Sequence, residues 1–192
     1  MPWIKKNIPF YRKFQYYVLV TNVLLISGLL LSCDIPEETF TNPLDIESNA
    51  EKGIAPPAIV FFPDNIETDL GESFTMEVFA LEVDSVGGAQ IEIDYNASIL
   101  SVSSVSKGSF FQGGNDPIFI SEHDNGKLFI YVTYMGPDGA AVSGTGDIAA
   151  IVFNTKIPGE TIITINEMTV LLDKNAIPIQ INGLGESVVN AK

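Results

Sequence analysis

The feature that most constrains the fold is a series of short apolar segments that begins at residue 58 and continues to the C-terminus, separated by Gly, Asn and Asp. Within these segments apolar and polar residues alternate with a period of two, which is typical of β-strands with one buried face. No convincing helical period is present. Strands are predicted at residues 58–62 (resumed at 65–69), 73–83, 88–96, 100–105, 118–121, 127–135, 147–156, 161–172, 177–181 and 187–190. Roughly nine strands separated by turns predict an all-β fold, either a sandwich of two sheets or a jelly roll.

The N-terminus has the organisation of an export signal. All four basic residues of the first 33 positions lie before Val18, and an apolar run of fourteen residues, VLVTNVLLISGLLL, follows. A membrane-spanning helix needs about 20 residues, so this run suits a signal peptide better than a membrane anchor. The run ends in Leu-Leu-Ser-Cys and resembles the lipobox of bacterial lipoprotein signals. The resemblance implies that residues 1–32 are removed and that Cys33 is lipidated, which would anchor the protein to a membrane.

Residues 34–57 are acidic, contain several prolines and lack periodicity. Together with Cys33 they are predicted to form an extended tether, residues 33–57, between the membrane and a single domain at residues 58–192. Removal of residues 1–32 leaves 6 basic and 24 acidic residues, a net charge of -18. Such a polyanion repels phosphate backbones, so no nucleic acid partner is expected. The single cysteine excludes an internal disulfide.

The residues that catalysis would require are scarce. The only histidine, His123, lies in a predicted loop beside two acidic residues, and no cysteine or second histidine is available to form a zinc site or a nucleophile–base pair. Asp94, Asp124 and Asp138 are candidates for a calcium site at loop ends, but they lack the spacing of a calcium-binding loop. We therefore predict a binding protein that is not an enzyme and that has no cofactor of its own.

From about residue 58 to 190 the chain resembles the cohesin domain, the module that receives dockerins in cellulosomes. The segments that carry this resemblance are, in order, GESFTMEVFALEV, VGGAQIEIDYNASILSVSSVSKGSFF, DNGKLFIYVTYMG and SGTGDIAAIVFNTKIPGETIITI. The resemblance implies a nine-stranded jelly-roll β-sandwich of two antiparallel sheets. It also implies a non-catalytic role in binding a dockerin-bearing protein, with any calcium carried by the partner.

In this family the dockerin surface is one sheet face built by the third, fifth, sixth and eighth strands, here residues 88–96, 118–121, 127–135 and 161–172. Alternation directs Gln90, Glu92 and Asp94 outward on the third strand. On the sixth strand it directs Phe129, Tyr131 and Thr133 outward. These six residues are the predicted partner-binding set. The best known cohesins carry an Asn and an Asp near the start of the third strand, where this chain has Gly88 and Gln90.

Three functions remain open. The first is a lipid-anchored surface adaptor that docks a dockerin-type partner, linked to polysaccharide degradation at the outer membrane or cell surface. The second is a carbohydrate-binding module, which would use exposed aromatic residues to stack on sugars. The third is a structural component of a surface assembly. The exported part contains no tryptophan, which weighs against the carbohydrate-binding module.

Overall fold

The computed structural model describes residues 42–113, 115–137 and 141–192. The signal peptide, Cys33 and Asp138 lie outside these ranges, so their predicted roles stay predictions. The described residues contain one helix, α1 (Ile46–Glu51). The strands are β1 (Ala58–Phe62), β2 (Asn65–Thr68), β3 (Ser73–Asp94), β4 (Leu100–Lys107), β5 (Asn115–Asp124), β6 (Lys127–Met135), β7 (Val142–Thr155), β8 (Gly159–Ile165), β9 (Val170–Asp173), β10 (Pro178–Ile179), β11 (Gly183–Leu184) and β12 (Glu186–Ala191).

The strands form a β-sandwich, which confirms the predicted fold class. In one layer β5 pairs with β6, β6 pairs with the second half of β3, and that half of β3 pairs with β9 and β8. In the other layer the first half of β3 pairs with β1 and β7, and β7 pairs with β4. Most pairs are antiparallel, but β1 with β11 and β2 with β12 are parallel, unlike the purely antiparallel sheets predicted.

Strand β3 belongs to both layers, whereas the sequence predicted two strands, 73–83 and 88–96. The backbone does not turn between them. It stays extended and bends, with register shifts against β7 between Ala80 and Val83 and again between Val83 and Val86. Glu82 and Ser85 adopt positive φ angles of 47° and 56° within this bend. Bulges of this kind change the direction of a strand without ending it, so β3 can belong to both sheets.

The core lies between the two layers, and most of its buried residues are inward residues of β3, β6 and β7. Phe153 is fully buried and packs against two partly buried aromatic rings. Its centroid lies 5.6 Å from that of Phe74, with the rings stacked, and 5.4 Å from that of Tyr95, with the rings edge to face. Aromatic contacts of this geometry add to the free energy gained from buried area.

The predicted strand 161–172 is in fact two strands, β8 and β9, separated by a turn. The N–H of Thr169 donates to the carbonyl of Asn166 at 3.0 Å, and the N–H of Met168 donates to the Asn166 side chain at 2.9 Å. An Asn side chain that closes such a turn competes with the sheet for backbone N–H groups, which ends β8. Of the predicted strand 177–181, only the two residues of β10 form a strand.

Part of the segment predicted to be an extended tether is folded against the domain. The Asp45 side chain caps α1 by accepting from the backbone N–H groups of Glu47 and Ser48. Asn49 is buried and donates to the carbonyl of Pro43 at 2.6 Å. Leu44 and Ile54 pack against a small apolar cluster of Ala58, Val60 and Leu81. This packing stabilises a helix that the aperiodic sequence did not indicate. No helix in the described ranges is long and apolar enough to cross a membrane.

Candidate functional site

The hairpin between β5 and β6 sets the register of the predicted binding surface. Asn125 and Gly126 occupy the turn with φ angles of 47° and 85°, and Asp124 pairs with Lys127. Positive φ at both central residues is the requirement of the tight turns that favour Asn-Gly. This turn sets the register of the hairpin from the pair Asp124–Lys127 to the pair Ile118–Thr133. Beyond that pair the register shifts, and Asn115 pairs with Met135.

The outward side chains of β5, β6, the second half of β3 and β9 form one surface, here called the outer face. Cross-strand pairs place its residues in rows. The first row joins Ile118, Thr133, Gly88 and Leu172; the second joins Ile120, Tyr131, Gln90 and Val170; the third joins Glu122, Phe129 and Glu92; the fourth joins Asp124, Lys127 and Asp94. All six predicted partner-binding residues lie on this face.

The inward and outward alternation on β6 is as predicted. Leu128, Ile130 and Val132 are buried in the core. Tyr131 is 37% exposed, Thr133 is exposed, and Phe129 is half-buried. The sheet therefore presents two aromatic rings and a hydroxyl group to solvent on one side of a single strand.

The outer face has an apolar part that the sequence analysis missed. Ile118 and Ile120 on β5 are 53% and 51% exposed and lie directly across from Thr133 and Tyr131. Met135 continues the same side of β6 and is also exposed. The signal that would have found the two isoleucines is the Asn-Gly turn, because a two-residue turn that pairs 124 with 127 also pairs 120 with 131. Exposed apolar residues that cluster in this way mark interaction surfaces.

The other end of the outer face is acidic. Lys127 lies beside Glu92 and Asp94, with its Nζ donating to the Glu92 carboxylate and lying 3.2 Å from Asp94 Oδ1. Hydrogen bonding to Glu92, and to a smaller extent to Asp94, raises the pKa of Lys127 above its ordinary value of 10.5. Glu122 and Asp124 are exposed in the same two rows. These two rows contain four carboxylates and one ammonium group, which leaves this end negative.

Two of the predicted partner-binding residues are held by contacts within the domain. Glu92 is only 8% exposed, and its backbone N–H donates to the Thr169 hydroxyl at 3.1 Å. Asp94 is half-buried and accepts from the Asn166 side-chain amide at 2.6 Å. The β8–β9 turn thus holds the end of β3 in place. Glu92 exposes less of its surface to a partner than the sequence indicated.

The calcium hypothesis receives no geometric support in the described part of the chain. Lys127 separates Asp94 from Asp124 in the sheet register, and its ammonium group pairs with the Asp94 carboxylate. No group of three or more His, Cys, Asp or Glu side chains there could hold a metal ion. His123 is exposed on β5.

Comparisons with known proteins agree with this architecture. The chain matches the model of the cohesin domain over residues 59–183. No curated protein sequence matches it. Many solved structures share the fold. One is a non-cellulosomal cohesin from the archaeon Archaeoglobus fulgidus, with 16% identity over 70% of this chain and 90% of that one and a TM-score of 0.59.

Two further solved structures are similar to the same extent. A type II cohesin domain from the cellulosome of Acetivibrio cellulolyticus shares 20% identity over 69% of this chain and 93% of that one, with a TM-score of 0.58. A cohesin module from a family 33 glycoside hydrolase of Clostridium perfringens shares 16% identity over 70% of this chain and 96% of that one, with a TM-score of 0.57. Since the family model covers more than half of the sequence, the chain belongs to the cohesin domain family.

Proposed function

We propose that this chain is a receptor module that docks a dockerin-bearing protein on its outer face and performs no catalysis. The observation that carries the proposal is the apolar part of that face, where Ile118, Ile120 and Tyr131 lie side by side on adjacent strands and remain exposed. Interfaces are commonly centred on aromatic and aliphatic anchors within a polar rim. Here the rim is supplied by the acidic residues at the hairpin end.

Solved relatives support the choice of partner. Similar structures include a type I cohesin–dockerin complex of Clostridium thermocellum, at 13% identity over 70% of this chain and 94% of that one, with a TM-score of 0.56. Family membership supports transfer of the general activity, which is protein docking. The Gly88 and Gln90 departures imply that the partner differs in detail from the best known dockerins.

We also propose that the module is displayed at a bacterial membrane or cell surface through a lipid on Cys33. The support is the basic leader, the apolar run and the Leu-Leu-Ser-Cys ending of the signal segment. A receptor of this kind would hold a dockerin-bearing enzyme at the surface. A link to polysaccharide breakdown fits a family whose solved members include a cellulosomal domain and a module of a glycoside hydrolase.

The test is a calorimetric titration of the purified full chain with dockerin modules encoded by the same genome, in calcium and then in chelator. We expect one-to-one binding with a dissociation constant below about 1 μM, or roughly 8 kcal/mol of binding free energy. Loss of binding in chelator would show that docking requires calcium. Absence of binding to every dockerin in calcium would refute the proposal, and retardation in gels containing soluble glucans would then favour the carbohydrate-binding alternative.

A matched pair of variants locates the surface. Ile120→Lys places a charge in the apolar part of the outer face and is expected to abolish measurable docking, because a buried charge without a partner is strongly unfavourable. Leu70→Lys changes a residue that is 53% exposed in the turn between β2 and β3, away from this face, and is expected to bind normally. Equal affinities for the two variants would place the interface elsewhere.

A further inference from the structure

Strand β4 forms an open edge of the sandwich, in the layer that does not carry the outer face. Within the described ranges it pairs with β7 alone, from Leu100 to Lys107. Its other edge therefore presents a row of backbone N–H and C=O groups that no described strand accepts. A long, flat edge of this kind is a template for pairing with another chain, and proteins usually protect it.

The other edges of the sandwich are protected and β4 is not. Four further described strands pair on one side only, and three of them, β2, β10 and β11, are four, two and two residues long. The fourth, β5, is ten residues long but includes a proline and three acidic residues. Short length, proline and charge all discourage edge-to-edge pairing. By contrast, β4 has eight residues and no proline, and no charged residue lies between Asp94 and Lys107.

The sequence of β4 indicates what could pair with it. Residues 101–106 read SVSSVS, which is the same in both directions. Two antiparallel copies aligned about the point between Ser103 and Ser104 place every serine opposite a serine and every valine opposite a valine. Val102 of one copy then faces Val105 of the other. A twofold dimer requires such self-complementarity, because the same patch supplies both sides of the interface.

The bulge in β4 makes the sides of the two copies match as well. Val102 and Val105 are three residues apart, which would place them on opposite sides of a regular strand. The register shift against β7 inserts one extra residue at Ser103, and both valines pack, partly buried, against the core. Opposed residues of antiparallel strands point to the same side of the sheet. Pairing would therefore bring the valines of both copies together on the core side, where the open edge leaves them partly exposed.

We propose that β4 pairs with β4 of a second copy of this chain, antiparallel and centred between Ser103 and Ser104, to form a symmetric dimer with one continuous sheet. Since the core sides of the two copies coincide, the outer faces of both copies point in the same direction. The dimer thus presents two outer faces side by side, which favours a partner with two docking modules. This last consequence rests on the proposed docking function, whereas the self-association does not.

The first test measures self-association of the full chain by analytical ultracentrifugation, without any partner protein. One strand pair makes an interface below the standard size, so we expect a monomer–dimer equilibrium with a dissociation constant of about 10–100 μM. Ser104→Glu brings like charges close together at the twofold axis and should raise this constant about fivefold or more. Thr75→Glu is the matched control, because Thr75 is exposed in the same row of the same face, two strands from the edge. The control should self-associate within twofold of the unmodified chain.

A charge swap tests the register directly. A chain with Ser103→Glu and Ser104→Glu and a chain with Ser103→Lys and Ser104→Lys should each self-associate weakly. Their mixture should form a heterodimer at least tenfold more tightly than either chain alone, because the register places each carboxylate opposite an ammonium group. Association through any other part of the chain would not respond in this way, and a thermal melt of each variant shows that it is folded.

Three results would overturn the inference. They are an unmodified chain that stays monomeric up to about 1 mM, an equal loss of self-association in Thr75→Glu, and a mixture that associates no more tightly than its components. None of them bears on the docking function, which is tested by titration with dockerins.

Discussion

Replacement of Tyr131 by alanine tests the apolar part of the outer face most simply. Tyr131 is 37% exposed in the free domain. If an aromatic side chain can bury about 200 Å², then about 75 Å² of Tyr131 remains for a partner to cover, worth about 2 kcal/mol at about 25 cal/mol per Å². Tyr131→Ala should therefore weaken docking about twentyfold, since about 1.4 kcal/mol corresponds to a tenfold change in affinity.

The assay is a calorimetric titration with a dockerin that binds the unmodified chain, accompanied by a thermal melt. Tyr131 lies on the outside of β6, so its loss should cost the fold its cross-strand contacts with Ile120 and Gln90, about 0.2–1 kcal/mol each. Leu70→Ala is the control, because Leu70 is similarly exposed but lies outside the face. A folded Tyr131→Ala chain that binds within twofold of the unmodified protein, or an equal loss in Leu70→Ala, would refute the reasoning.

Three other predictions concern charge, packing and pH. The double variant Glu122→Gln/Asp124→Asn should associate more slowly with a cationic partner and show a weaker salt dependence of the association rate in stopped-flow measurements, because charges at an interface steer encounter. The control Glu160→Gln should leave both quantities unchanged. An unchanged salt dependence in the double variant would contradict the electrostatic role. Phe153→Ala should lower the free energy of unfolding in urea by about 3–5 kcal/mol, since the residue is fully buried; a loss below about 1 kcal/mol would contradict the packing. Hydrogen bonds from the backbone N–H groups of Ile177 and Asn175 hold the pKa of Asp173 below its ordinary value of 3.8. The stability that this carboxylate contributes is present above pH 3.8 and is lost as the pH falls through the lowered pKa. Asp173→Ala should therefore lower the melting temperature at about pH 7 and have less effect at about pH 2; an equal effect at both would contradict the assignment.

Alternation in the sequence was sufficient to predict which residues of β6 face outward. The period of two extends over the whole strand, and the buried Leu128, Ile130 and Val132 leave only one consistent orientation. The segment at β5 is different, since Ile118, Phe119 and Ile120 are all apolar and no face is favoured by pattern alone. Its orientation comes from the hairpin register, which is a property of the Asn-Gly turn and not of the strand.

The bend in β3 and the break between β8 and β9 could not be predicted locally. Glu82 and Ser85 adopt positive φ angles that their residue types do not favour, so tertiary packing determines the bend. Asn166 ends β8 partly through its side-chain bond to Asp94, which is distant in sequence. The buried position of Glu92 has the same origin, because the β8–β9 turn that covers it was expected to be strand.

The measurement that tests the central claim most directly is amide hydrogen exchange of the full chain, free and saturated with a dockerin that binds it. If docking uses the outer face, exchange should slow on β5, on β6 and on the second half of β3, around Ile120, Tyr131 and Gln90, while β4 and its partner β7 are unchanged. Slower exchange on β4 and β7, with β5 and β6 unaffected, would contradict the account.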